Sequence, residues 1–202
     1  MNHIARGVAA AALLAGPWSL HALAFTTGYS FLDAEKSPLN YRAGAAAPRL
    51  ACKGLVRLSD SQMTILSAEI VAQAGNLPEF CVLGIIQPEV RFEIALPSAW
   101  NRRLYMRGNG GYAGESLDAP PRIAQRNDAL RNGFVAVQTN TGHDAATEPL
   151  ASFATNPQKT VDYAFRAVHE VVQTAKRVVG AFYDRPWPIS ILKGARPAVA
   201  RD

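Results

Sequence analysis

A change in hydrophobic periodicity along the chain is the strongest constraint on its fold. Between residues 63 and 96, apolar side chains alternate with polar ones or form short runs, most regularly at Val90, Phe92, Ile94 and Leu96. Such alternation is typical of β-strands. Beyond residue 156 the apolar spacing becomes three and four, which is typical of one face of a long helix. The sequence therefore predicts an α/β fold, with antiparallel strands first and a parallel sheet with crossover helices second.

The boundaries of the predicted elements follow from proline, glycine and capping residues. Strands are expected over residues 63–72, 80–87, 90–96, 104–106, 134–137 and 189–192, and a short helix over 122–132, closed by Gly133. A longer helix is expected to begin at Asn156 and Pro157, which suit the N-cap and the first helical position. Its predicted buried stripe is Val161, Ala164, Phe165, Val168, Val171, Val172, Ala175, Val178, Val179 and Phe182.

The first 24 residues have the pattern of a secretory signal peptide. Arg6 precedes an apolar stretch over residues 7–16, and Ala22-Leu23-Ala24 is an A-x-A cleavage signal. A membrane anchor, the alternative, needs about 20 continuous apolar residues, and Pro17 interrupts this stretch. We expect a mature chain that starts at Phe25, with an extended arm over residues 25–49. A secreted or periplasmic location without stable membrane insertion follows.

The chain has two cysteines, Cys52 and Cys81, and both lie in the expected mature chain. Export would therefore place both of them in an oxidising compartment. An even number of cysteines in an oxidising compartment favours a disulfide between them. Two buried thiols are the alternative.

Charge and histidine content argue against several kinds of partner. The net charge of +5, from 21 basic and 16 acidic residues, is dispersed and accompanies no nucleic-acid-binding motif, so we expect no nucleic-acid partner. The four histidines show no paired spacing, so neither a metal site nor another cofactor is expected. The sequence indicates no particular oligomeric state.

Gly108, Asn109, Gly110 and Gly111 form a glycine-rich loop directly after a predicted strand. Its backbone N–H groups could bind a developing oxyanion, whereas the alternative is an ordinary turn. The loop lacks the spacing of the nucleotide-binding motifs.

Thr141, Gly142 and His143 follow the next predicted strand and form a possible substrate-side loop, because ligand sites gather at the carboxyl ends of strands in open α/β sheets. His143 could act as a base, but we favour a structural role in which hydrogen bonds of its ring hold the loop in place. The sequence shows no nearby carboxylate or nucleophile that could work with His143 as a base. His169, beside the apolar stripe of the long helix, is expected to be a partly buried packing residue.

Several of these motifs occur in an order and spacing that resemble the tannase and feruloyl esterase family. The matching residues are Cys52, Leu55, Phe80, Cys81, Val82, Gly84, residues 92–97, Trp100, Asn101, residues 104–114, Ala129, Leu130, Gly133, Phe134, Thr141, Gly142, His143, Tyr163, Arg166, Ala167, His169, Lys176, Phe182 and Tyr183. Arg102, where glycine is expected, and Asn140, where the family often has Asp, depart from the pattern.

The resemblance implies that residues 50–194 are the N-terminal part of an α/β-hydrolase domain, an incomplete α/β-hydrolase fold. It also implies a serine esterase that acts on small aromatic esters, such as gallate or hydroxycinnamate esters. Such an enzyme acylates a serine that lies in a Gly-Cys-Ser-x-Gly-Gly elbow after the strand that follows the long helix. The oxyanion loop would then be the segment Gly108 to Gly111.

The expected elbow does not follow Gly194, since residues 195–202 contain neither serine nor cysteine. One permitted codon set for residues 194–202, read with a single inserted base, encodes Gly-Cys-Ser-Thr-Gly-Gly-Arg-Gln-Gly. We therefore interpret residues 195–202 as an out-of-frame tail, and expect a chain that stops before the catalytic triad, contains no catalytic residue and is inactive. The alternative is a secreted, non-catalytic binding protein derived from an α/β-hydrolase.

Overall fold

The computed structural model describes residues 44–185 and 189–193. The predicted signal peptide, most of the arm and the predicted tail over residues 195–202 lie outside these described residues. Within them, none of the helices combines the length and the apolar character needed to cross a membrane.

A six-stranded mixed sheet forms the centre of the described fold, with strand order β1-β2-β3-β5-β4-β6. The strands are β1 Thr64–Val71, β2 Phe80–Gln87, β3 Val90–Pro97, β4 Arg103–Arg107, β5 Val135–Thr139 and β6 Ile189–Lys193. The helices are α1 Pro120–Arg131, α2 Pro157–Val161 and α3 Ala167–Tyr183, with a π-helical turn, Asp162–Arg166, between the last two. Two 3₁₀ helices cover Cys52–Leu58 and Ser152–Thr155.

The strand directions confirm the predicted division of the sheet. Strands β1, β2, β3 and β5 pair antiparallel in that order, whereas β4 pairs parallel with both β5 and β6. Helix α1 connects β4 to β5, and the segment from α2 to α3 connects β5 to β6. Helix α3 belongs to one apolar cluster and α1 to another, and the two clusters use alternate residues of the same strands. Since alternate residues of a strand point to opposite faces, the two helices cover opposite faces of the sheet.

Strand β3 is more buried than its alternating pattern predicts. Seven of its eight residues are buried, Arg91 being exposed, because a helix covers each face. The polar residue Glu93 therefore lies inside, where it accepts hydrogen bonds from Arg126 (3.1 Å) and Gln138 (3.0 Å). Burial raises the pKa of Glu93, and the Arg126 guanidinium opposes that rise.

The predicted start of the long helix is confirmed at Asn156, whose side chain accepts from the N–H groups of Gln158 and Lys159. The predicted stripe is wrong over the first turns. A π-helical turn carries an extra residue, which rotates the helix face, so Asp162 is 0% exposed and Phe165 is 78% exposed. Val161 and Ala164 are exposed too, and the stripe is buried or half-buried only from Val168 onwards. His169 is exposed, which corrects the expectation of a partly buried residue.

The predicted disulfide is confirmed. Cys52 in the first 3₁₀ helix bonds to Cys81 on β2, with the Cα atoms 5.6 Å apart and a sequence separation of 29. Both residues belong to the larger core cluster, so the bond joins the segment before β1 to the sheet interior.

Replacing both cysteines with alanine should lower the free energy of unfolding by about 3 to 4 kcal/mol, because the bond restricts the unfolded chain over a loop of this length. Urea unfolding of the oxidised protein and the double variant measures the difference. The reduced protein is the control and should lose a similar amount; equal urea midpoints for all three forms would contradict the prediction.

Candidate active site

The glycine-rich loop lies at the carboxyl end of β4, beside the carboxyl end of β6. The Gly108 N–H donates to the Lys193 carbonyl (2.8 Å), which extends the parallel pairing of the two strands by one bond. Strand β5 ends at the same edge because it too runs parallel to β4. In open α/β sheets, this edge is where ligands bind.

Two carbonyl groups of the loop accept hydrogen bonds from the protein, whereas three of its N–H groups have no acceptor among the described residues. The Gly110 carbonyl accepts from the Ala113 N–H (2.9 Å), and the Gly111 carbonyl accepts from the Tyr163 hydroxyl (2.7 Å). Within the described residues, the N–H groups of Asn109, Gly110 and Gly111 have no protein acceptor. The loop can therefore offer backbone donors to an anion at this edge.

The side chain of Asn109 anchors the loop to β5. Its amide nitrogen donates to the Glu115 carboxylate (2.6 Å) and to the Thr139 carbonyl (3.0 Å). The same carbonyl accepts from the guanidinium of Arg122, a buried residue of α1 (2.8 Å). Sequence reasoning missed Arg122, since an arginine in a short polar helix gives no signal that it is buried.

The substrate-side loop is held by Asn140, one of the two departures from the family pattern. Its side-chain oxygen accepts from the N–H groups of Arg91 and Gly142, both at 2.9 Å. Both bonds require only an acceptor, which an amide supplies as well as a carboxylate does. Asn140 is therefore compatible with the loop geometry.

The structure holds His143 mainly by packing, and the expected hydrogen bonds of the ring stay a prediction. The residue is 3% exposed, and its ring stacks on Phe153 with the centroids 4.0 Å apart. Gly114 (φ +79°) allows the approach, since a Cβ there would lie 2.5 Å from Nε2. Burial lowers the pKa of His143, while the Glu148 carboxylate and the Tyr112 backbone act in the opposite direction.

A polar cleft of about 350 Å³ lies between the segment after the glycine loop and the substrate-side loop. The charged residues of its lining are mainly acidic, and its two cations are Arg91 and Lys159, the latter paired with Glu148 at 2.7 Å. Across the described part of the chain, no cluster of three or more His, Cys, Asp or Glu side chains could hold a metal ion. His143 lines this cleft but hydrogen-bonds to no serine, so the geometry gives it no nucleophile to activate.

Replacing His143 with Phe should make stability less sensitive to acid. Burial lowers the pKa of the ring in the folded state, whereas the unfolded chain binds a proton below about pH 6.5, so wild-type stability falls as the pH drops through that value. Urea unfolding at pH 7, 6 and 5 should show a smaller loss for His143→Phe than for the wild type. At pH 7 the variant should be about as stable as the wild type, because a Phe ring can occupy the same stacked position on Phe153.

The matched control is His169→Phe, which changes an exposed histidine and should follow the wild-type curve. Identical pH dependence of the wild type and His143→Phe would show that burial of this ring contributes nothing to acid sensitivity.

The sequence matches the family described as tannase and feruloyl esterase over residues 81–196, more than half of the chain. It is 31% identical over 137 residues to the mono(2-hydroxyethyl) terephthalate hydrolase of Piscinibacter sakaiensis, covering 59% of this chain and 23% of that protein. It is 34% identical over 102 residues to feruloyl esterase B of Aspergillus niger, covering 50% and 18%. The chain thus spans about a fifth of the length of these relatives.

The fold agrees with solved esterase structures. The crystal structure of feruloyl esterase B from Aspergillus oryzae matches with a TM-score of 0.54 and 22% identity, covering 71% of this chain and 32% of that one. A second esterase from the same organism gives a TM-score of 0.56 at 21% identity, covering 71% and 32%. The predicted fold class, α/β with part of an α/β-hydrolase sheet, is therefore confirmed. From its order of sequence motifs and its sheet, this chain belongs to the tannase and feruloyl esterase family.

Proposed function

We propose that this chain carries the oxyanion-hole loop of a serine carboxylic-ester hydrolase that acts on aromatic esters. The observation that supports this most directly is the arrangement of the glycine loop beside the end of β6, where the Asn109, Gly110 and Gly111 N–H groups have no acceptor among the described residues. Donors that are already oriented stabilise the negative charge that develops on the carbonyl oxygen during acyl transfer.

The reaction also needs a nucleophile and a base, and we propose that both are encoded in the restored reading frame. The Gly108–Lys193 hydrogen bond supports this, because an elbow that directly followed β6 would begin next to the donor loop. Its serine would attack the ester carbonyl, the carbonyl oxygen would become the oxyanion, and water would later release the acid. His143 is not assigned as the base, since its ring is buried and stacked on Phe153.

An aromatic ester, such as a gallate or hydroxycinnamate ester, is the proposed substrate. The relatives of this chain that are named for a substrate are named for esters of aromatic acids, ferulate and terephthalate. We assign the substrate-side role to Thr141, Gly142 and His143, which follow β5 at the same edge of the sheet as the donor loop.

We further propose that the protein is exported to the periplasm or secreted, with residues 1–24 as signal peptide, 25–49 as arm, 50–194 as hydrolase portion and 195–202 as out-of-frame tail. The Cys52–Cys81 disulfide supports export, because such bonds persist in oxidising compartments.

The 202-residue polypeptide should not hydrolyse methyl gallate or methyl ferulate, whereas the product of the gene with one base restored at codon 194 should do so. Without the serine nucleophile, the expected loss of turnover is at least roughly 1,000-fold. Product release by chromatography measures both proteins, and the restored gene with its elbow serine changed to alanine is the matched control.

Turnover by the 202-residue chain above that of the alanine control would overturn the proposed inactivity. An inactive restored protein would overturn the frame assignment and favour the non-catalytic binding protein instead.

A further inference from the structure

Tyr163 connects the π-helical turn to the glycine loop. Its hydroxyl donates to the Gly111 carbonyl at 2.7 Å, across 52 residues of sequence. Within the described residues, no other donor reaches that carbonyl. The orientation of this loop peptide therefore depends on a side chain from a different element.

The π-helical turn is what presents Tyr163 to the loop. It is anchored by Asp162, whose fully buried carboxylate accepts from the Gln158 amide (2.9 Å) and the Arg166 guanidinium (3.0 Å). A continuous α-helix would instead turn Phe165 towards the core, as the apolar spacing predicts. The fold leaves Phe165 78% exposed and keeps the rotated turn, and such turns occur frequently at functional sites.

The ring of Tyr163 packs against Phe153 of the second 3₁₀ helix and His143 of the substrate-side loop. Its centroid lies 4.9 Å from that of Phe153 and 6.0 Å from that of His143, the second contact being edge-on. Phe153 stacks on His143, so the three rings form one aromatic cluster. The hydroxyl is thus held in place by packing, and the direction in which it donates is determined.

We propose that Tyr163 is a positioning residue that keeps the glycine loop in its donor orientation, an inference that rests on the proposed esterase function. In a trans peptide the carbonyl and the following N–H point in opposite directions. By holding the Gly111 carbonyl, the Tyr163 hydroxyl fixes the peptide between Gly111 and Tyr112, so the N–H of that peptide points away from Tyr163. Gly111 (φ +55°) can adopt many backbone conformations, so without this bond the adjoining peptides can rotate and misdirect the donors.

Tyr163→Phe removes the hydroxyl and keeps the ring, so the aromatic cluster and the fold should persist. In the 202-residue protein, amide hydrogen exchange of Ala113, whose N–H donates to the Gly110 carbonyl and closes the turn of the loop, should become at least tenfold faster. In the frame-restored protein, kcat on methyl ferulate should fall about 10- to 100-fold while KM stays within twofold, because a misdirected donor weakens transition-state binding more than ground-state binding.

Tyr105→Phe is the matched control, since Tyr105 lies on β4 and packs against Phe134, away from the loop. It should leave exchange, kcat and KM as in the wild type. Thermal unfolding of both variants separates a loop effect from a loss of folding.

The proposal is overturned if Ala113 exchange in Tyr163→Phe equals that of the wild type, or if Ala113 in the wild type already exchanges at the rate of an unfolded chain. It is also overturned if exchange rises but kcat is unchanged, or if kcat and KM change together. If the frame-restored protein with Tyr163 intact is inactive, the proposed function fails by itself, and the exchange comparison still decides whether Tyr163 holds the loop.

Discussion

The parallel pairing of β4 with two neighbours is the constraint on which the candidate site depends. Because β5 and β6 both run parallel to β4, all three strands end at one edge of the sheet. The Gly108–Lys193 bond continues this pairing beyond the strand itself, so the glycine loop starts from a fixed point. An antiparallel β4 would send its following loop to the opposite edge, away from the substrate-side loop.

The loops at this edge are held by contacts with one another more than by regular structure. Asn109 reaches the end of β5, Gly114 allows the His143 ring to approach, and Tyr163 reaches the glycine loop. Each contact joins residues that are far apart in sequence. Ordering four loop residues costs about 4 to 8 kcal/mol of conformational entropy. The hydrogen bonds of the loop with its neighbours contribute roughly 3 to 9 kcal/mol, so the loss of a single bond is enough to disorder the loop.

Features set by local chemistry could be predicted from the sequence, and features set by tertiary burial could not. Asn156 caps its helix as predicted, because an N-cap depends on the next three residues alone. The glycine loop was found since its composition differs from its surroundings. The burial of Glu93 was missed because alternation indicates a half-buried strand, and nothing local shows that α1 covers the second face. The π-helical turn was missed because Asp162 goes inside only when Gln158 and Arg166 can satisfy it.

The same reasoning explains why the site was only partly found. Gly108 to Gly111 and His143 attracted attention by residue type. Residue type did not show that one loop has donors without an acceptor in the described part of the chain, or that the other loop buries its histidine. Burial disfavours protonation of the imidazole, so His143 behaves as an aromatic packing residue beside Phe153. The His143 ring packs edge-on against the ring of Tyr163, and the Tyr163 hydroxyl donates to the Gly111 carbonyl. The contribution of His143 to the site is therefore packing. A glycine loop can approach an anion closely only because it lacks side chains, and for that same reason its conformation has to be fixed by side chains from elsewhere in the fold.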